Sequence, residues 1–332
     1  MNEENLHLYM DDSVTLPKDL GLTIDDELKS MKHTLESGIM EKFGWTYKSF
    51  NEDGRRLIDM LTACEAPFDF HNHSFQSPDG ENSVEQMVLR AIELGMKHYT
   101  ITDHLEINKF YDEEFLYEEP VRQSSVLLPA LKEKYKDKIS LQYGVELGQP
   151  LHDMDLTNRM LDSYSYDFII GSCHMVRGYD DFYFLDYNEI DPHFLLNLYF
   201  EELLEMAQWG KFDSLGHLTY PLRYITGDKG IPVDMDKYES IIDEIFRTLI
   251  KNDKGIEINT SGLRQNIGQT LPGYKYVKRF YDLGGRILTI GSDAHRCSDL
   301  GKGIQAGIEI AKRAGFKEVA CFKERKPEFI KI

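Results

Sequence analysis

The chain has 332 residues, 41% of them hydrophobic and 29% charged, and carries a formal net charge of −19. That length suffices for one large domain with an appendage or for two domains, and the composition is that of an ordinary soluble globular protein without repeats or low-complexity tracts. The negative excess argues against a protein that grips nucleic-acid phosphates, because such affinity is mostly electrostatic. No apolar run approaches membrane-spanning length.

The opening residues, "MNEENLHLYMDDS", are acidic and interrupted, unlike a signal peptide. Four cysteines, Cys64, Cys173, Cys297 and Cys321, show no CxxC pair or framework spacing, so a reducing, cytoplasmic setting is expected and the thiols read as small buried apolar groups. Residues 1–65 contain two amphipathic stretches, "TIDDELKSMKHTLESGIMEKFG" and "NEDGRRLIDMLTAC", and read as a mostly helical extension packed outside the main domain.

From residue 66 to 332 short β-rich runs alternate with helical stretches, the pattern of parallel strands joined by crossover helices. The strands are expected at "APFDF", "KHYTIT", "ISLQYGVEL", "YDFIIGS", "FDSLGH", "GIEINT" and "RILTIGS". Between the first two, "SVEQMVLRAIELG" keeps a helical stripe of Val84, Met87, Val88, Ala91 and Ile92, with Ser83 and Gln86 forming a capping box and Gly95 the stop. Further helices are expected at "SSVLLPALKEKYKD", "PHFLLNLYFEELLEMAQWG", "MDKYESIIDEIFRTLIKN" and "KGIQAGIEIAKRAG". Seven strand-helix units approach a closed α/β barrel.

In parallel α/β barrels the chemistry lies at the carboxyl ends of the strands. There the chain places His71 and His73, then Asp103 and His104, then Glu146, His174, His217, and finally Asp293 and His295. Six of the eleven histidines occupy these tips. Scattered core or surface histidines have no reason to choose one end of nearly every strand, so the pattern points to a polynuclear metal site. Imidazole and carboxylate without thiolate suit zinc, manganese or iron. About nine candidate ligands are too many for one ion and fit two or three ions sharing a bridging carboxylate, for which Glu146 is the natural choice.

The order HxH, TDH, a mid-chain Glu, GSxH, GH and SDAH resembles the PHP family (polymerase and histidinol phosphatase). The nearer resemblance is to its histidinol-phosphate phosphatases, through "HNHSFQSPDG", "IIGSCHMV", "GHLTYPLRY", "EINTSGLR", "GSDAHRCSDLGKG" and "GFKEVACFKERKP". The resemblance covers residues 66–332 and implies a distorted (β/α)7 TIM-like barrel with three metals. One ion falls to His71, His73, Glu146 and Asp293, a second to Glu146, His174 and His217, and a third to Asp79, His104 and His295. It also implies Glu146, Asp293, His295 and Asp103 as catalytic or adjacent groups, with Asp103 orienting a ligand histidine.

Three divalent ions less three carboxylates leave roughly three positive charges, a balance that suits a phosphate monoester dianion. The implied reaction is hydrolysis of L-histidinol phosphate to L-histidinol and phosphate, by in-line attack of a hydroxide made available at neutral pH by metal coordination. Arg223 and Arg264, with Arg177 a third candidate, would grip the phosphate through bidentate hydrogen bonds. Groups for the amine and imidazole are sought in "LEINKFYDEEF" and "RGYDDFYFLDY". Competing readings are a PHP-type phosphoesterase acting on another small ester or a nucleotide, a nucleic-acid exonuclease, an amidohydrolase-type barrel, whose bridging lysine finds no counterpart at any tip here, and a non-catalytic metal-binding barrel.

Overall fold

The structure, a computed structural model, describes residues 66–107 and 118–332; the helical extension expected over residues 1–65 and the greater part of "LEINKFYDEEF" lie outside the described residues. Its strands are β1 (Phe68–Asp69), β2 (His98–Ile101), β3 (His104–Glu106), β4 (Ser140–Gly148), β5 (Phe168–Ser172), β6 (Ser214–Leu215), β7 (Gly255–Asn259) and β8 (Leu288–Gly291). They form one parallel sheet in the order β1-β2-β4-β5-β6-β7-β8. All seven expected strands are present. β3 resumes the line of β2 after a break at Thr102 and Asp103 and pairs with the second half of β4, setting His104 opposite Glu146.

These strands read as near-continuous apolar runs because both faces are covered, and β5 and β7 are buried at every residue. No ladder joins β8 to β1. The ring is nearly closed at that seam by Phe70 N–H donating to the Ile290 carbonyl (3.3 Å), Asp293 N–H donating to the His71 carbonyl (2.8 Å) and a parallel bridge between Asn72 and Ala294. The seam thus runs directly into His71, His73 and Asp293.

Around the barrel lie α1 (Val84–Glu93), α2 (Glu118–Tyr135), α3 (Met154–Ser163), α4 (Pro192–Trp209), α5 (Glu239–Lys251), α6 (Tyr274–Asp282) and α7 (Ile304–Ala314). Helix α1 forms as its sequence dictates: Ser83 and Gln86 complete the capping box, and Val84, Met87, Val88 and Ala91 are buried. The cap contributes about 1 kcal/mol and each large apolar side chain so buried roughly 1.5–3 kcal/mol. Helix α2 begins earlier than expected and runs through Pro129, with Val121, Leu128 and Leu131 anchored in the core; that packing offsets the hydrogen bond the proline cannot make. Helices α3 and α6 add to the expected set; both are short and amphipathic, burying Thr157 and Met160 on α3 and Tyr276, Val277 and Phe280 on α6.

A terminal hairpin, β9 (Glu318–Lys323) and β10 (Lys326–Lys331), was likewise not anticipated. Phe322 stacks on Phe168 at the start of β5 (5.0 Å between centroids), and the turn reaches the amino ends of the strands. There Arg325 Nε donates to Asp213 Oδ2 (2.5 Å), and the N–H groups of Arg325 and Glu324 donate to Asp167. The hairpin closes the floor of the barrel. Among the described residues no helix is long and apolar enough to cross a membrane.

Candidate metal centre and active site

Glu146, on the long strand β4, is the hub of the opposite mouth, where it is 1% exposed. Its Oε1 accepts a hydrogen bond from Ser172 (2.7 Å) and lies 2.8 Å from His217 Nε2 and 3.2 Å from His174 Nε2. Its Oε2 lies 3.2 Å from His71 Nε2, 3.4 Å from His73 Nε2 and 3.0 Å from His104 Nδ1. One carboxylate therefore faces five imidazoles donated by four different strand tips.

Three groups of side chains capable of holding a divalent ion surround it: His71 and His73 with Glu146; His174 and His217 with Glu146; and His73, His104 and His295. Asp293 Oδ1 stands 3.4 Å from His73 Nε2 and 3.8 Å from His71 Nε2, beside the first group. Asp79 lies at the rim of the third, 3.1 Å from His295 Nε2 and 3.7 Å from His104 Nε2. A fourth group, Glu106 with His104 and His174, adds a carboxylate absent from the expected set.

The chemistry of this donor set fits divalent cations. Ring nitrogens face each other at 3.1 Å (His71 and His73 Nε2) and 3.3 Å (His174 and His217 Nε2), so pairs of lone pairs converge. Three buried ring nitrogens, His104 Nδ1, His217 Nδ1 and His295 Nε2, have no hydrogen-bond partner. For the first and last, carboxylate oxygens stand close without hydrogen-bond alignment. Imidazole and carboxylate held close but misaligned are what ligands of a shared cation present.

The distal nitrogens are fixed by a second ring of partners. His71 Nδ1 meets Glu257 Oε1 at 2.6 Å, His174 Nδ1 meets Glu106 Oε1 at 2.9 Å, and His295 Nδ1 donates to the Asp293 carbonyl at 3.1 Å. His73 Nδ1 meets Ser77 Oγ (3.1 Å), whose hydroxyl donates in turn to Asp103 (2.9 Å). Each such bond selects the tautomer that leaves the other nitrogen's lone pair aimed inward and makes that nitrogen more basic. Gly291 makes room for this packing, since a Cβ there would come within 2.2 Å of the His71 Cβ and 2.8 Å of Glu257 Oε1.

The charges are strongly coupled. Burial works against the charged form of His71, but Glu257, Glu146 and Asp293 outweigh it and push its pKa well above the ordinary range. Burial likewise opposes ionisation of Glu146, yet His71, His174 and His104 hold its carboxyl well below the usual range. His73 goes the other way, down to about 3, through burial and its neighbours His295 and His104. It presents a neutral ring at any physiological pH. Asp293 adopts φ of +54°, a left-handed conformation sparsely populated by residues other than glycine, which turns its carboxylate from the end of β8 toward the histidines.

The structure thus gathers His71, His73, His104, Glu146, His174, His217, Asp293 and His295 in one cluster with Asp79 at its edge, whereas four other expected residues fall differently. Asp103 is held behind the cluster by Ser74 and Ser77 and does not line the cavity. Arg223 lines the cavity, donating to Ser261 (2.8 Å) and Asp293 Oδ2 (3.2 Å). Arg264 lies beneath the Asp293 turn, donating to the carbonyls of Ser292 (2.8 Å) and Asp293 (3.3 Å). Arg177 is turned away from the cavity onto Glu205 of α4 (2.8 Å), because the chain after His174 carries it outward. The residues missed were Glu106 and Glu257. For Glu257 a signal existed: a carboxylate inside the otherwise apolar "GIEIN" strand.

Above the cluster opens a cavity of 390 Å³, whose wall continues from Glu146 and His217 through Tyr220 and Tyr224 to Asp181 and Phe184. A parallel barrel that gathers imidazoles and carboxylates at its carboxyl mouth around a shared glutamate, beside an arginine, defines a polynuclear metal-dependent hydrolase. The chain belongs to the PHP domain family, which matches residues 69–261. A protein of Thermotoga maritima named "Probable histidinol-phosphatase" is 31% identical over 252 residues, spanning 76% of this chain and 94% of its own. The histidinol-phosphatase of Lactococcus lactis is 29% identical over 266 residues, spanning 78% and 95%. The crystal structure of histidinol phosphate phosphatase from Lactococcus lactis, complexed with Zn, L-histidinol and phosphate, superposes with a TM-score of 0.67 at 28% identity, over 79% of this chain and 99% of that one.

Proposed function

We propose that this chain is a metal-dependent phosphomonoesterase that hydrolyses L-histidinol phosphate to L-histidinol and inorganic phosphate, working on a small molecule in the cytoplasm. The observation that carries the reading is the meeting, in one cavity, of the Glu146-centred histidine groups with an arginine that has a donor to spare: Arg223 Nε is buried and has no hydrogen-bond partner. Arg264 Nη1 is in the same condition. Buried, unsatisfied guanidinium donors beside a dense cation-binding set fit a ligand that is a multiply charged oxyanion. The names borne by the relatives favour the histidinol ester.

In this reading His71, His73, Glu146 and Asp293 hold one ion, Glu146, His174 and His217 a second, and Asp79, His104 and His295 a third, with zinc, manganese or iron compatible with the donors. The chemistry supplied by divalent cations in such a cage is Lewis acidity, which makes water a nucleophile at neutral pH and screens the phosphoryl oxygens. Arg223 binds a phosphoryl oxygen and, through Asp293, is fixed relative to the histidines. Asp293 is divided: Oδ1 faces His71 and His73, while Oδ2 takes Arg223, Ser261 and Asn259. Burial of His71, His73 and Asp293 strengthens each of these contacts. No covalent intermediate is required of the protein; the Cys173 thiol is buried and donates to the Met175 carbonyl.

Phosphate release from histidinol phosphate, 4-nitrophenyl phosphate, a nucleoside monophosphate and single-stranded DNA tests the reading. Histidinol phosphate is expected to exceed the others in kcat/KM by at least about tenfold. Hydrolysis of a nucleotide or DNA at equal or higher efficiency would overturn it, as would no hydrolysis of any monoester by protein of verified metal content.

A further inference from the structure

Past Tyr220, one wall of the cavity has no task in the reaction described above. Tyr220 packs its ring between the His174 and His217 rings (4.9 Å to each centroid) and the Arg223 guanidinium (5.0 Å). Its hydroxyl points the other way, donating to Asp181 (3.2 Å to Oδ1) and lying 3.1 Å from the Tyr224 hydroxyl. Asp181 is therefore one tyrosine ring removed from the reacting end of the cavity, and it lines the same space with Met175, Phe184 and Tyr224.

Asp181 differs from the other acids that line the cavity: Asp79, Glu106, Glu146 and Asp293 each pair with a histidine or arginine, and Asp181, among the described residues, pairs with neither. Asp213 is matched by Arg325, Asp293 by Arg223 and Asp167 by Lys132. Asp181 has only the Tyr220 hydroxyl and the Tyr183 N–H (2.7 Å), and among the described residues no lysine or arginine pairs with it. Burial raises its carboxyl above the ordinary range, and neither the nearby His174 nor the hydrogen bonds from the Tyr183 N–H and the Tyr220 hydroxyl offset it fully. A desolvated acid facing a ligand cavity without a cation of its own is unfavourable unless the ligand brings one.

We propose that Asp181, braced by Tyr220 and flanked by Phe184 and Tyr224, is the subsite for an ammonium group on the alcohol half of the substrate, which selects amino-alcohol phosphates over neutral esters. The inference rests on the phosphomonoesterase reading and assigns to it a specificity-determining residue. It also accounts for the aromatic rim: Phe184 is 64% exposed in the open cavity, a cost that a ring stacked on it would remove. The phosphate end is held by arginine and the cation-binding set, the amine end by Asp181, and the ring by Phe184.

The test compares histidinol phosphate with its desamino analogue, 3-(imidazol-4-yl)propyl phosphate, which lacks only the amine, and with 4-nitrophenyl phosphate. In the wild-type holoenzyme kcat/KM for the desamino ester is expected to be about 10- to 100-fold lower than for histidinol phosphate, the range for losing one hydrogen bond to a buried charge. In Asp181→Asn, which keeps an acceptor for Tyr220, that ratio should fall to within about threefold, and Asp181→Glu should restore much of it. A wild-type ratio near one overturns the proposal without need of any variant, and so does a ratio unchanged in Asp181→Asn. Failure of wild type to prefer histidinol phosphate over 4-nitrophenyl phosphate would instead overturn the proposed substrate, and the amine-dependent ratio would still decide the role of Asp181.

Discussion

The two ends of the barrel bury charge in opposite ways. At the floor, Asp213 accepts from Arg325 and from the Ile169 N–H, and Asp167 accepts from Lys132, Glu324 and Tyr143, so each acid has its counter-charge and donors within the chain. At the mouth, five imidazoles crowd one glutamate, ring nitrogens face each other, and donors on Arg223 and Arg264 stay unmet. A folded chain tolerates unsatisfied buried polar groups poorly, since each costs about 1–3 kcal/mol. Among the described residues the unmet imidazole nitrogens and guanidinium donors all lie at the mouth, which separates a surface built to be completed by ligands from one built to be complete.

The comparison breaks most visibly at its hub. Glu146→Gln is expected to lower turnover by about a thousandfold or more and to reduce the metal bound per chain, measured by phosphate release and elemental analysis. Retention of both would remove Glu146 from the centre. One layer out, Glu257→Gln should weaken metal affinity or activity by about 10- to 100-fold, because His71 loses the partner that fixes its tautomer. Titration of the metal-free variant with zinc reads this directly, and wild-type affinity would show that the Glu257 contact is dispensable.

At the floor the consequence should be thermodynamic alone. Arg325→Ala leaves Asp213 buried without its cation and is expected to cost about 2 kcal/mol of stability in urea denaturation, with kcat/KM within about twofold of wild type. A comparable loss of activity would mean the two ends are coupled. Removing metal with a chelator should lower the melting temperature by several degrees and leave a folded barrel, as mass action predicts for a ligand of the native state. Least is expected of Arg177→Ala, whose exposed pair with Glu205 is worth about 0–1 kcal/mol and whose KM should not move.

Much of this was legible in the chain. The seven strands announced themselves because a parallel strand covered on both faces must be apolar throughout, and the tips followed because a strand's carboxyl end is where its apolar run stops. Helix α1 was readable to its cap. The closing hairpin was not, since its turn residues Glu324 and Arg325 adopt φ of +49° and +64° where Asn-Gly would have signalled them. Glu106 was obscured because β3 restarts after a break, so a residue past the second tip still points into the mouth. Arg177 misled for the converse reason: closeness to His174 in sequence does not fix which way a loop leaves the barrel.

What the sequence determined by itself was the inventory and its periodicity: which imidazoles and carboxylates lie at strand ends, and that the strands are parallel and enclosed. Those are local facts, set by the alternation of apolar runs with capped helices. Tertiary structure decided the rest, namely that one carboxylate faces five rings, that Glu257 stands behind His71 and Glu106 between His104 and His174, and that Arg223 rather than Arg177 enters the cavity. Such choices depend on strand register and barrel closure, which bring together residues as far apart as His71 and Asp293, and no stretch of chain carries them alone.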